Sequence, residues 1–151
     1  MVITLYTEEL VELFRSISHR EVALIDDPDA RYRAEAGTEK MYEIHSCIMD
    51  AYSRLTARCS RWLEATYEHR RDNIMDVPSE FKFQFLLSER RSINNGEALV
   101  GEMQNFIIEY ALSKFYSIVN QGDLSNKHSL LAIDAGNRID QLLYVKQPPR
   151  V

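Results

Sequence analysis

Four histidines and two cysteines are the residues of this chain best suited to hold a metal or attack a substrate, so their spacing is tested first. His19, His45, His69 and His128 are scattered, no HExxH occurs, and none has a glutamate three residues before it. Zinc-protease and carboxylate di-iron patterns are therefore absent. On a continuous helix Cys47 and Cys59 would stand about 18 Å apart along the axis and about 120° apart around it. They can share neither a metal nor an intrachain disulfide, and they read as small apolar packing residues.

The carboxylates give no stronger signal. Asp26, Asp27 and Asp29 lack the spaced oxygen ligands, turn glycine and closing glutamate of a calcium loop, whereas Asp27 before Pro28 is a ready helix cap. Glu8 with Glu9, and Glu64 with Glu68, sit among polar helix positions and read as solvated faces. There is no GxSxG, no phosphate-binding glycine loop and no dinucleotide fingerprint among five dispersed glycines. No catalytic residue, metal site or cofactor is expected.

The basic residues offer more. Arg54, Arg58 and Arg61, spaced by four and three, fall on one face of a predicted long helix, with Arg70, Arg71, Arg90 and Arg91 toward its far end. Such a strip can pair with carboxylates or with phosphate. Residues 1–53 carry 5 basic and 11 acidic side chains, residues 54–91 carry 8 and 6, and residues 92–151 carry 5 and 6. A salt network within or between subunits is therefore favoured over a nucleic-acid path, because an acidic chain gains little from counterion release. The acidic first third and basic middle also favour head-to-tail contacts between copies.

The elements that position these residues follow from hydrophobic period. Val2–Tyr6 reads as an edge strand or N-terminal arm. Thr7 is a candidate N-cap for a helix whose stripe is Leu10, Val11, Leu13, Phe14 and Ile17, ending near residues 18–20. A short polar helix is expected over Pro28–Ala36, ended by Gly37. Met41, Ile44, Ile48, Ala51, Leu55 and Trp62 predict one rod from Thr38 to Tyr67, roughly 45 Å long.

Phe81, Phe83 and Phe85 alternate with Lys82 and Gln84, which predicts a half-buried strand over Phe81–Leu87. Asn94, Asn95 and Gly96 read as a turn before a second long helix, Glu97–Val119, carrying Leu99, Met103, Phe106, Ile107, Tyr110, Ala111, Phe115 and Ile118, with Gly122 closing it. A final helix from about Leu124 has Leu131, Ala135, Ile139, Leu142 and Leu143 on one side and stops at Pro148 and Pro149. A lone strand would leave its backbone unpaired, so Phe81–Leu87 is expected to pair with Val2–Tyr6, within the chain or from a neighbouring subunit.

With 151 residues, 45% hydrophobic and 27% charged, the chain reads as a single helical domain. The expected class is mostly α: a bundle of three to five helices around two long ones, with a minor two-stranded β element. The absence of a signal-like start and of any apolar run near 18 residues predicts a cytoplasmic protein without a membrane span.

The stretch EYALSKFYSIVNQGDLS, the preceding FQFLLSERR and the KQPPRV tail resemble small helical prophage proteins of Bacteroidetes of the head–tail connector or adaptor type. The resemblance covers roughly residues 81–150 and transfers no catalytic residue. It implies a non-enzymatic structural protein that self-assembles as a ring or joins other phage-particle proteins. Phe81, Phe83 and Phe85 are then the expected contacts between subunits, and Arg54, Arg58 and Arg61 the electrostatic seam. The alternative is a small protein-binding adaptor or regulatory domain with a helical groove; nucleic-acid binding ranks behind both.

Overall fold

The structure, a computed structural model, describes residues 2–64, 78–86 and 93–144, with side chains from residue 96 onward in the last segment. The expected features at Tyr67, Glu68, His69, Arg70, Arg71, Leu87, Arg90, Arg91, Pro148 and Pro149 lie outside the described residues.

The fold is mostly α with a minor two-stranded ribbon. In chain order it runs β1 (Val2–Tyr6), α1 (Thr7–Val22), α2 (Pro28–Ala34), α3 (Met41–Cys59), β2 (Glu80–Gln84), α4 (Ile93–Ile118) and α5 (Gly122–Leu143), with single 3-10 turns at Thr38–Lys40 and Ser60–Trp62. Helix α4 is the central rod. It packs along α5 on one flank and α3 on the other, and α1 lies across it.

The ribbon forms within the chain. β1 and β2 pair antiparallel in the register Ile3↔Phe83 and Leu5↔Phe81, which puts four apolar side chains on the inward face and turns Thr4 and Lys82 away. Tyr52 of α3 stacks on Phe81 with ring centroids 4.4 Å apart and meets Phe83 edge-on at 5.3 Å. Phe81, Phe83 and Phe85 are all buried in the core of their own chain, each contributing roughly 1.5–3 kcal/mol of transfer free energy. The side chains expected as subunit contacts thus pack within their own chain here.

Helix α3 corrects the 45 Å rod. It stops at Cys59, about 28 Å from its start, because Leu63 forms a bridge with Phe85. The backbone N–H of Glu64 donates to Gln84 O at 2.8 Å, and that of Leu86 donates to Trp62 O at 2.8 Å. Trp62 keeps the heptad spacing but lies in the 3-10 turn where the chain leaves the helix to join the ribbon. Tertiary pairing outweighs the periodic signal here.

Several boundaries also shift. Thr7 is the first residue of α1 rather than its cap, since β1 runs into α1 without a loop. Its hydroxyl donates to Pro78 O and its N–H to Ser79 O, tethering the segment that leads into β2. α1 continues to Val22 because Ser18 and Val22 extend its buried stripe. Asp27 does cap α2, accepting from the Asp29 N–H at 3.1 Å, but α2 ends at Ala34. The Asn94–Gly96 turn is instead the first turn of α4. α4 is closed by Asn120, at φ 60°, a left-handed position that asparagine tolerates, while Gly122 opens α5. The link between these two helices is only Val119–Gln121.

Candidate functional site

Two clusters of charge are assembled on the α4–α5 pair. The first is inside. Residues His128, Ala132, Ala135 and Ile139 form the buried stripe of α5, so a histidine occupies a position that its neighbours fill with apolar side chains. Burial alone would depress its pKa, yet the value is raised, because its ring bonds Glu109 of α4 through Nδ1 and Glu21 of α1 through Nε2, the latter at 2.7 Å. A neutral imidazole has one N–H, so donation to two carboxylates requires the imidazolium.

Glu21 is the hub of this cluster. Burial would raise its pKa, but it is lowered by Lys127 Nζ, 2.8 Å from its second oxygen, and by His128. The Tyr116 hydroxyl donates to Glu21 at 3.2 Å, and its ring stacks on His128 with centroids 5.5 Å apart. The histidine side chain is 2% exposed against 12% for Glu21 and 20% for Glu109. Acid–base groups are present, but both ring nitrogens are committed to carboxylates. The cluster is an ionic clamp joining α1, α4 and α5.

The second cluster lines a groove of about 820 Å³ on the face made by α3, α4 and α5. Phe106, Tyr110, Ser113 and Ser117 of α4 recur by four, three and four and form its floor. Arg54 and Arg58 of α3 make one wall, and Ser125, Ser129 and Ile133 of α5 the other. Lys114 adds a cation 6.0 Å from the Tyr110 ring centroid. The α5 wall sits close against the α4 floor, where the Ser125 hydroxyl donates to Ser113 O at 2.9 Å.

The three arginines of the predicted strip part company. Arg58 reaches α5, where Nε donates to Gly136 O and Asp140 Oδ1 at 3.1 Å each, and Nη2 donates to Asp140 Oδ2 at 2.8 Å. A Cβ at Gly136 would lie 2.6 Å from the guanidinium carbon, so any side chain there would push this fork off Asp140. Arg61 falls in the 3-10 turn beyond α3, a correction that follows from the early end of that helix, and it does not line the groove. Arg54 stays exposed on the groove wall with no ion partner among the described residues. Among the described residues the one ion partner of Lys114 is Asp50, at 3.7 Å.

Burial pushes the thiols of Cys47 and Cys59 up to about 12, which suppresses thiolate chemistry. Burial also lowers the His45 pKa. His19 is exposed on α1. Among the described residues no group of three histidine, cysteine or acidic side chains is arranged to hold a metal ion, and no helix is long and apolar enough to cross a membrane.

Sequence reading passed over Glu21, Glu109, Lys114 and Asp140. The one available signal was His128 at spacings of four, seven and eleven from Ala132, Ala135 and Ile139, a polar residue on a core stripe that must find partners. Comparison with protein-family models, curated proteins and solved structures finds no match for this chain.

Proposed function

We propose that the protein is a non-enzymatic assembly or adaptor protein that docks an acidic helical segment in the α3–α4–α5 groove. The observation that carries this reading is the groove itself. It has an aromatic and hydroxyl floor, two surface cations on its α3 and α4 sides, and exposed Leu130 and Ile133 along the outer flank of α5. An amphipathic helix bearing carboxylates beside an apolar residue satisfies both the charge and the apolar flank. The resemblance of residues 81–150 to phage neck adaptors supports the same class, since those proteins work by packing against other protein subunits.

The test is titration with a fluorescent synthetic peptide, helical, acidic and amphipathic, followed by anisotropy. Binding that weakens about tenfold in Arg54→Glu/Lys114→Glu, and with rising salt, is expected. Absence of binding, or binding indifferent to the double reversal, overturns the reading.

A further inference from the structure

Resting on that docking reading, we infer that the segment the groove takes is the exposed face of α1 from a second copy of this chain. Glu8, Glu9, Glu12, Leu13 and Ser16 are all exposed on α1. Glu12 and Leu13 lie three and four residues on from Glu9, and Ser16 lies four and three on from them, which puts all four on one face with Leu13 43% exposed beside the carboxylates. None of the three glutamates has a cationic partner among the described residues. They are opposite in sign to Arg54 and Lys114, and Leu13 matches Leu130 and Ile133 in apolar character.

The geometry makes this contact one between copies. Phe14 of α1 meets Phe115 of α4 edge-on at 5.4 Å, whereas Ser113 and Ser117 face the groove. Each serine is two residues, about 200° of helix, from Phe115, so α1 and the groove occupy opposite faces of α4. The chain cannot fold its own α1 into its own groove while that core contact stands. Donor and acceptor surfaces on opposite sides give a head-to-tail interface, which repeats until it closes a ring or runs on as a filament.

The experiment is solution mass by light scattering on the full chain over a wide concentration range at low and high salt, with two charge-reversal variants. Groove variant Arg54→Glu/Lys114→Glu and face variant Glu9→Lys/Glu12→Lys alter only exposed residues. The wild type is expected to assemble at low salt and dissociate at high salt, and each variant alone to be monomeric. An equimolar mixture of the two is expected to reassemble, because each offers the other a matched surface. Simple damage to folding would not be repaired by mixing; should circular dichroism show either variant unfolded, the milder Arg54→Gln/Lys114→Gln and Glu9→Gln/Glu12→Gln must each raise the dissociation constant several-fold. A wild type that stays monomeric yet binds the acidic peptide overturns self-docking and leaves the groove reading standing. A monomer that binds no peptide overturns both. An oligomer unaffected by either reversal, or two monomeric variants that do not reassemble on mixing, places the contact elsewhere.

Discussion

The two charge clusters share helices α4 and α5 but use charge in opposite ways. At the clamp, Glu21, Glu109, Lys127 and His128 meet one another, and the contacts lower the pKa of Glu21 and raise that of His128, each toward its charged form. At the groove, Arg58 is committed to Asp140, while among the described residues exposed Arg54 has no ion partner and exposed Lys114 has only Asp50 at 3.7 Å. Buried charges must be paired or they are very costly, so the inner cluster holds the fold. Exposed charges cost little when unpaired, so the outer cluster is free to serve something outside the chain.

That contrast is broken most directly at His128. Replacing it with alanine leaves Glu21 and Glu109 facing each other without the imidazolium, and a loss of about 3 kcal/mol is expected in urea unfolding. A loss below about 1 kcal/mol would make the clamp no different from a surface pair.

The pH dependence sharpens the same point. The folded His128 pKa is raised above 6.5, so its contribution is whole below that value and is lost as pH rises through the folded one. The folded Glu21 pKa is depressed below 4.5, so its contribution holds above that value and fails as pH falls through the folded one. The clamp is strongest between pH 4.5 and 6.5, and the urea midpoint of the wild type should decline above that window more than that of His128→Gln.

Arg58→Ala comes next. It removes a two-pronged contact that is part exposed, and about 1 kcal/mol of stability is expected to go with it by thermal or urea unfolding. The smallest effect belongs to Arg54→Glu/Lys114→Glu, for which a stability change within about 0.5 kcal/mol is expected. If that double variant costs as much as His128→Ala, the groove cations hold the fold and the distinction between the clusters disappears.

The sequence made the mostly helical class and the pairing of Val2–Tyr6 with the phenylalanine strand readable, because alternation and heptad-like spacing are local signals. It misled where long-range pairing decides. Trp62 continues the stripe of α3 yet lies beyond its end, since Leu63 is claimed by Phe85. Leu131 was expected on the inner side of α5 but is 38% exposed, while His128 and Gly136 occupy buried positions there. The groove was not legible at all. It depends on which faces of three helices meet, and no spacing within one helix reports that Arg58 will reach Asp140 across α5.

The ribbon register also bears on the order of folding. Tyr6 pairs with Glu80 across more than seventy intervening residues, whereas α4 and α5 are joined by three. By the logarithmic scaling of loop closure, bringing the strands together costs roughly 3 kcal/mol more chain entropy than closing the helical hairpin. By this measure the hairpin is expected to form before the ribbon closes, which a slower protection of β1 amides than of α4 amides in pulsed hydrogen exchange would check. During synthesis β1 must wait, unpaired and carrying Ile3 and Leu5, until β2 has emerged. Ile3 and Leu5, buried in the finished fold, therefore have no ribbon partner until residues 80–84 have been made.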